Sequence, residues 1–447
     1  MLLLKNKEIL VFGLKRSGQA VIRLLNREGI HVTMTDDEVR EKDLDDDLKN
    51  NRYLSSEEAK ASLDRFDYVV KSPGIPPTHP LIQKANELGL SVISELEIAY
   101  RFFPPGRPLV AVTGTNGKTT VTTLITNLLT ASGIKATSCG NIGYPLSEAV
   151  LVDLYDAFVC ECSSFQLEGI RYFTPHVAVW LNVLPHHLDY HGSFEAYVSA
   201  KAHLFRNMRD DGLIVINRDD ANVMQQLQIH DPKGRILTFS LEEEQADAYY
   251  NEDTDMIHLD GEPFLHRKEI LLQGQANVAN VLAALLVAKS FSCDPTIMKK
   301  VIGGFEPLRY RMEHIGSWLG VDFYNDSKST NAAAMKAAIQ SLNQPIILIA
   351  GGKRKDDQYE PALSHPNIKY VVTFGENRKD LKACCDRVGK VCFECVNLLE
   401  AMRLVKQMMS AGDAVLFSPG AQSYDQYANY VERGEAFNQL FKTVIQF

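Results

Sequence analysis

Lys118 lies in the segment Val110-Ala-Val-Thr-Gly-Thr-Asn-Gly-Lys-Thr-Thr120, where an apolar run leads into a glycine-containing loop and then into a stretch with helical spacing. Glycine, lysine and hydroxyl residues in this order make a phosphate cradle. Backbone N–H groups of the loop surround phosphate oxygens, Lys118 neutralises the terminal phosphates, and the Thr119 hydroxyl reaches a magnesium ion. The spacing departs from the common pattern: Val112 takes the place of the usual first glycine, and the first glycine here is Gly114. The loop is therefore short. Nucleotide chemistry is the expectation, with Gly114, Thr115, Asn116, Gly117, Lys118, Thr119 and Thr120 around the phosphates. A chance glycine-rich turn would lack the strand and helix signals on both sides.

Other polar clusters also follow apolar runs. Glu161 closes the run from Ala157 and is followed by Ser163, Ser164 and Gln166. A carboxylate entering beside a phosphate loop suits a magnesium ligand; the plainer reading is a serine-capped helix with a surface glutamate. Asn182 leads into His186, His187, Asp189, Tyr190 and His191. That density of histidine would suit zinc, but a soft centre beside a phosphate loop is unusual. His187 is expected to partner an oxygen site, and Asp189 to organise the loop. Lys201 falls in a helical stretch from Phe194 with mostly apolar neighbours, where an unpaired ammonium is costly and requires a partner or a modification. Further on, Asn325–Asn331, Gly351–Asp356 and Ser418–Ser423 each follow a strand-like run. Three polar loops at strand ends of one sheet imply a shared ligand crevice, and the basic middle loop implies an anionic substrate.

The elements that position these groups read as parallel α/β layers. Residues 8–14 form a buried strand, a helix runs from about Gly18 to Glu28, and His31 to Thr35 makes a second strand closing on Asp36. This βαβ unit has Lys15 where a dinucleotide fingerprint needs its second glycine. It therefore favours a smaller phosphorylated ligand, or serves as a structural unit only. Asp67 to Lys71 is another strand, ending in Ser72-Pro-Gly74. Pro104–Pro108 is a linker signal, and a second boundary falls near Phe305–Pro307. Central strands are expected at Ala157–Glu161, Val177–Asn182 and Leu213–Asn217, and later ones at Val321–Tyr324, Ile346–Ala350, Tyr370–Phe374 and Ala414–Ser418. The expected fold class is α/β in three domains: a Rossmann-like domain at 1–97, a central phosphate-loop ATPase-like parallel sheet at 98–305, and a Rossmann-like domain at 306–447.

Bulk properties narrow the function. The 447 residues carry a net charge of -9, which argues against a nonspecific nucleic-acid binder. No stretch approaches the ~18–20 apolar residues of a membrane span, and Met1–Lys7 lacks a signal-peptide core, so a cytoplasmic protein is expected. Cys384, Cys385, Cys392 and Cys395 cluster without a regular four-ligand pattern and read as core thiols.

Taken in order, the phosphate loop, Gly140-Asn-Ile-Gly143, Glu161-Cys-Ser-Ser-Phe-Gln-Leu167, Asn182-Val with His187-Leu-Asp189, Gln275-Ala-Asn-Val-Ala-Asn280, Asn325-Asp-Ser-Lys-Ser-Thr-Asn331 and Ser418-Pro with Ser423 resemble the Mur ligases over essentially the whole chain. The Ser-Ser-Phe-Gln and Asn-Asp-Ser-Lys segments favour the branch that adds D-glutamate. The resemblance implies an ATP-dependent amide ligase of peptidoglycan precursor synthesis. A carboxylate of UDP-N-acetylmuramoyl-L-alanine takes a phosphoryl group from ATP, the amine of D-glutamate attacks the acyl phosphate, and ADP and phosphate are released.

The same resemblance assigns roles. Lys118, Glu161, His187, Lys201 and Lys328 would be catalytic. Thr119, Glu161 and His187 would serve Mg²⁺, joined by Lys201 if it is carbamylated. Asn277, Asn280, Arg311 and Asp326 would complete the ATP site. Arg16, Ser17, Asp36, Gly74 and Asn141 would hold the UDP-linked substrate. Thr330, Lys355 (or Lys353), Ser423 and Tyr430 would hold D-glutamate. A monomer without a nucleic-acid partner is expected. The chain departs from the family pattern at Lys15, at Tyr310 in place of histidine, at the extra Lys353 and at Tyr430 in place of phenylalanine. A sibling Mur ligase and a folylpolyglutamate synthase are the competing enzymes; the latter does not explain the ~100 residues before the phosphate loop. A regulatory phosphate-loop protein would not need so many charged groups at strand ends.

Overall fold

Short apolar runs separated by helices can bury both faces only in parallel sheets covered by helices. The computed structural model, which describes residues 4–354 and 358–446, contains three such sheets. The first joins β1 (Ile9–Phe12), β2 (Thr33–Thr35), β3 (Arg52–Tyr53), β4 (Tyr68–Lys71) and β5 (Ser91–Ile93) in the order 3-2-1-4-5, all parallel. The second contains β6 (Leu109–Thr113), β7 (Ala136–Gly140), β8 (Ala157–Glu161), β9 (Val177–Trp180), β10 (Leu213–Asn217), β11 (Arg235–Ser240), β12 (Ala248–Asn251), β13 (Met256–Leu259) and β14 (Glu262–His266), ordered 14-13-12-11-10-9-6-8-7. The third contains β15 (Glu313–Trp318), β16 (Val321–Asn325), β17 (Ile346–Gly351), β18 (Ile368–Phe374), β19 (Cys392–Glu394) and β20 (Ala414–Phe417), ordered 15-16-20-17-18-19.

The strands named from the sequence form, with shifts of one or two residues at some ends. The first helix begins at Arg16, two residues before the expected Gly18. The parallel sheets also carry antiparallel strands at their edges, which the sequence reading did not name. β12, β13 and β14 form an antiparallel ribbon at the edge of the second sheet, and β15 runs antiparallel to β16. Two-residue turns make two of the three reversals, β13 to β14 and β15 to β16. Asp260-Gly261 and Leu319-Gly320 have positive φ at both residues, the backbone shape that joins right-twisted antiparallel strands.

The chain packs into two compact units. One takes in the chain up to Arg267 together with Ala279–Ile302; the other takes in Lys268–Val278 and everything from Gly303. In the first unit, residues of the first and second sheets belong to one continuous apolar core. The helix Glu95–Arg101 strengthens that connection. Buried Glu97 accepts the backbone N–H groups of Arg171, Tyr172 and Phe173 at 2.8, 2.9 and 3.1 Å. Glu95 accepts that of Ser147 at 2.5 Å. In the second unit the sheet has apolar layers on both faces. Cys384, Cys385 and Cys395 are buried there and Cys392 is half-buried; all are free thiols. Among the described residues no helix is long and apolar enough to cross a membrane.

Candidate active site

In the second sheet β6 lies between β8 and β9, with Val112 opposite Glu161 and Thr113 opposite Trp180. The carboxyl ends of these strands therefore deliver the phosphate loop, Glu161 and Asn182 to one edge, where parallel α/β sheets bind ligands. Gly117, at φ +85°, starts the helix Lys118–Ala131. A Cβ there would stand 2.2 Å from Asn280 Oδ1, and the positive φ would strain any other residue.

Asn182 shapes the loop. Its Oδ1 accepts the N–H groups of Thr115 and Asn116 at 3.0 and 2.9 Å, and its Nδ2 donates to the Asn116 carbonyl at 3.2 Å. The Thr115 hydroxyl accepts the Leu184 N–H at 2.9 Å and shares a hydrogen bond with the Tyr197 hydroxyl at 3.0 Å. Lys118 Nζ donates to the carbonyls of Gly114 and Thr115 at 2.7 and 2.8 Å.

Lys201 is 1% exposed. Its Nζ donates to the same Gly114 carbonyl at 2.9 Å and approaches Thr113 Oγ1 at 3.4 Å. Burial, reinforced by the positive charge of Lys118, pushes this amine well below the usual lysine range, while Cys162 and Glu161 oppose the shift. Lys201 is therefore biased toward the neutral, nucleophilic form. Glu161 is 3% exposed. Its Oε1 accepts the Asn141 side-chain amide at 2.8 Å, and its carbonyl accepts the Asn141 N–H at 2.8 Å. Asn141, expected to orient substrate, is thus also tied to the proposed metal carboxylate.

His187 adopts the left-handed conformation, φ +54°, immediately before the short helix Leu188–His191. Its ring lies 3.7 Å from that of His186 and meets Phe165 edge-on at 4.7 Å. His191 is instead bonded to the Ser164 hydroxyl at 3.0 Å. Among the described residues no three His, Cys, Asp or Glu side chains converge as a metal-holding group. The Thr119 hydroxyl and the Glu161 carboxylate are hard oxygen donors, which suit Mg²⁺ completed by phosphate oxygens rather than a protein-only cage. The side chain of Asp189 lies outside the described residues.

At the first sheet, Gly18 is obligatory, since a Cβ there would fall 1.8 Å from the Gly13 carbonyl oxygen. Arg16 and Ser17 open the following helix, and the Arg16 guanidinium lies 5.7 Å from the Tyr144 ring centroid. The Asp36 carboxylate accepts the N–H groups of Leu14, Glu38 and Val39 at 2.5, 2.7 and 2.9 Å. It thus holds the loop through three backbone groups. Gly74 has open space where a side chain would project.

In the second unit, β16, β20 and β17 are adjacent and parallel, so their three polar loops emerge at one edge. Asp326 Oδ2 accepts the Ser418 hydroxyl at 2.9 Å, and burial raises the Asp326 carboxyl to about 7. Lys328 Nζ lies 4.0 Å from the Tyr430 ring centroid. Lys353 pairs with Glu376 at 3.1 Å, whereas Lys355 lies outside the described residues. Ser423 is buried beside these loops and Thr330 is half-buried. Arg311 is flanked by Tyr310 and Met312, both at positive φ. Tyr310 donates to Glu435 at 2.6 Å. Asn277 donates to the Gln273 carbonyl at 2.8 Å.

Sequence reasoning missed Arg433. It is fully buried and joins two of the loops, donating to the Ser327 carbonyl at 2.8 Å, the Ser327 hydroxyl at 3.2 Å and the Ala421 carbonyl at 2.9 Å. Nothing local marked it, since an arginine in an amphipathic helix usually faces water.

Three family models match the chain in order: "Mur ligase MurD-like, N-terminal domain" at residues 7–94, "Mur ligase middle domain" at 112–288 and "Mur ligase, glutamate ligase domain" at 310–420. Similar relatives include the UDP-N-acetylmuramoylalanine–D-glutamate ligases of Streptococcus mutans, 36% identical over 98% of each chain, and of Natranaerobius thermophilus, 39% identical over 96% of this chain and 97% of the relative. Among solved structures, the fold resembles UDP-N-acetylmuramate–alanine ligase MurC from Thermotoga maritima, at TM-score 0.60 and 17% identity over 98% of this chain and 100% of that one. It also resembles MurF ligase from the same organism in complex with ADP, at TM-score 0.62 and 16% identity over 100% of this chain and 97% of that one.

Proposed function

The chain belongs to the Mur ligase family, and from that premise we propose that it is the member that adds D-glutamate to UDP-N-acetylmuramoyl-L-alanine. It is an ATP-dependent ligase of peptidoglycan precursor synthesis. The observation that carries the reading is the near end-to-end match to two D-glutamate ligases, at 36% and 39% identity.

The roles follow from chemistry. Phosphoryl transfer to the substrate carboxylate brings anionic groups together, so positioning and charge neutralisation dominate the barrier. Lys118 neutralises phosphate, and the loop N–H groups hold it. Thr119, Glu161 and His187 would hold Mg²⁺, which would supply charge neutralisation for the phosphoryl transfer. Neutral Lys201 is suited to attack carbon dioxide. A C–N bond forms, the amine loses a proton, and a carboxylate results that serves as a further oxygen ligand. Arg16, Ser17, Asp36, Gly74 and Asn141 seat the UDP-linked substrate. Asn277, Asn280, Arg311, Asp326 and Lys328 serve ATP, while Thr330, Lys355 or Lys353, Ser423 and Tyr430 serve D-glutamate. The domains divide at about 97 and 305, and the enzyme works as a cytoplasmic monomer.

The test is phosphate release from ATP with UDP-N-acetylmuramoyl-L-alanine and a panel of amino acids. Strict dependence on D-glutamate is expected. Dependence on L-lysine or diaminopimelate would move the chain to a sibling activity.

A further inference from the structure

Lys71 ends β4 and directly precedes the Ser72–Ile75 loop. It is 8% exposed, although nothing in its apolar strand calls for an ammonium. Nζ donates to the Ile75 carbonyl at 2.8 Å and to the Tyr190 hydroxyl at 2.6 Å, and that hydroxyl reaches Glu168 Oε2 at 3.3 Å. Burial lowers Lys71 to about 8, opposed by the Glu168 carboxylate, and pushes the Tyr190 phenol up. The phenol therefore keeps its proton for donation. The Tyr190 ring packs on Phe165 at 4.3 Å, and Phe165 meets His187 at 4.7 Å.

Three segments with assigned roles meet at this relay. They are the loop carrying Gly74, the Ser164–Glu168 helix that follows Glu161, and the His187 turn. The two sheets are already held together by Glu95, Glu97 and a common core, so the relay is not needed merely to join them. A buried charge held by neutral partners and one more distant carboxylate adds little net stability. It does fix geometry.

We propose that Lys71 and Tyr190 are positioning residues that lock the His187 turn to the Gly74 loop, so that seating the UDP-linked substrate at the first sheet sets the placement of His187 at the second. This rests on the D-glutamate ligase reading. The residues do not touch the reacting atoms; they act through the His187 turn. Removing either partner loosens the same link, so their effects are coupled.

The experiment compares wild type, Lys71→Met, Tyr190→Phe, the double variant and Lys71→Arg in the full chain, varying each substrate in the phosphate-release assay. Each of the first two variants should lower kcat/KM for UDP-N-acetylmuramoyl-L-alanine by about tenfold while KM for ATP stays within about twofold. The double variant should be no worse than the worse single one, and Lys71→Arg should recover part of the loss. Hydrogen exchange adds a readout independent of turnover. UDP-N-acetylmuramoyl-L-alanine should slow exchange at residues 187–191 in the wild type and not in Lys71→Met. Tyr190→Phe keeps the ring packing, so it carries the test if Lys71→Met does not fold. Unchanged kcat/KM, a rise in KM for ATP as large as that for UDP-N-acetylmuramoyl-L-alanine, or additive effects would overturn the inference alone. A wild type inactive on this substrate would remove the ligase reading and the inference with it.

Discussion

Two lysine amines converge on the Gly114 carbonyl. Lys118 lies 2.7 Å from it and Lys201 2.9 Å. Lys118 is placed for phosphate, and Lys201 is pushed toward neutrality by burial and by the neighbouring Lys118. Spacing alone revealed Lys118, because glycine, lysine and threonine are adjacent in sequence. It did not reveal that Lys201, more than 80 positions later, shares the same carbonyl. Lys118→Ala should reduce turnover by about 10³-fold or more, with an unchanged far-UV circular dichroism spectrum, because the side chain lies against the loop at the sheet edge and is not part of the apolar core. A fully active variant would sink the phosphate-loop assignment. The oxygen character of Thr119 and Glu161 carries a second prediction. Chelation with EDTA should abolish phosphate release, and added Mg²⁺ should restore it better than Ca²⁺, which favours more ligands and longer distances.

At the scale of elements, strands followed by polar loops were legible because a buried parallel strand needs a continuous apolar run. The edge ribbons were missed, although Asp260-Gly261 is a recognisable hairpin turn. Leu319-Gly320 is not, because leucine at positive φ contradicts local preference and is set by the pairing of Trp318 with Val321. The Glu95–Arg101 helix shows what burial does to an ordinary carboxyl. Burial raises Glu95 from 4.5 to about 7, against its bond from Ser147. Between those values the folded state binds more protons than the unfolded chain, so stability falls as pH rises from about 4.5 to about 7 and stays lower above that. The span of ~2.5 units caps the effect at about 3 kcal/mol. Glu95→Gln keeps a carbonyl acceptor and loses the charge. It should match the wild type near pH 5 and exceed it in stability at pH 8, read by urea unfolding. Identical pH dependence in both proteins would refute this.

For the whole molecule, three sheets were expected and three are found, yet the packing makes two units. The first two sheets share one apolar core, and a shared core melts cooperatively. Calorimetry should therefore resolve two transitions, with the first and second sheets unfolding together. Three separable transitions would count against this.

The sequence by itself determined the α/β class, most strand positions, the phosphate loop and the family, because these depend on local periodicity and on residues adjacent in the chain. Only the tertiary structure decided which distant groups share an environment. It placed Lys201 on the carbonyl that Lys118 uses, tied Asn141 to Glu161, spread Asp36 over three backbone N–H groups, and buried Arg433 and Lys71 as links between loops. Burial and hydrogen-bond partners belong to folded space, and a charged side chain reads the same in sequence whether it ends in water or at the centre of a site.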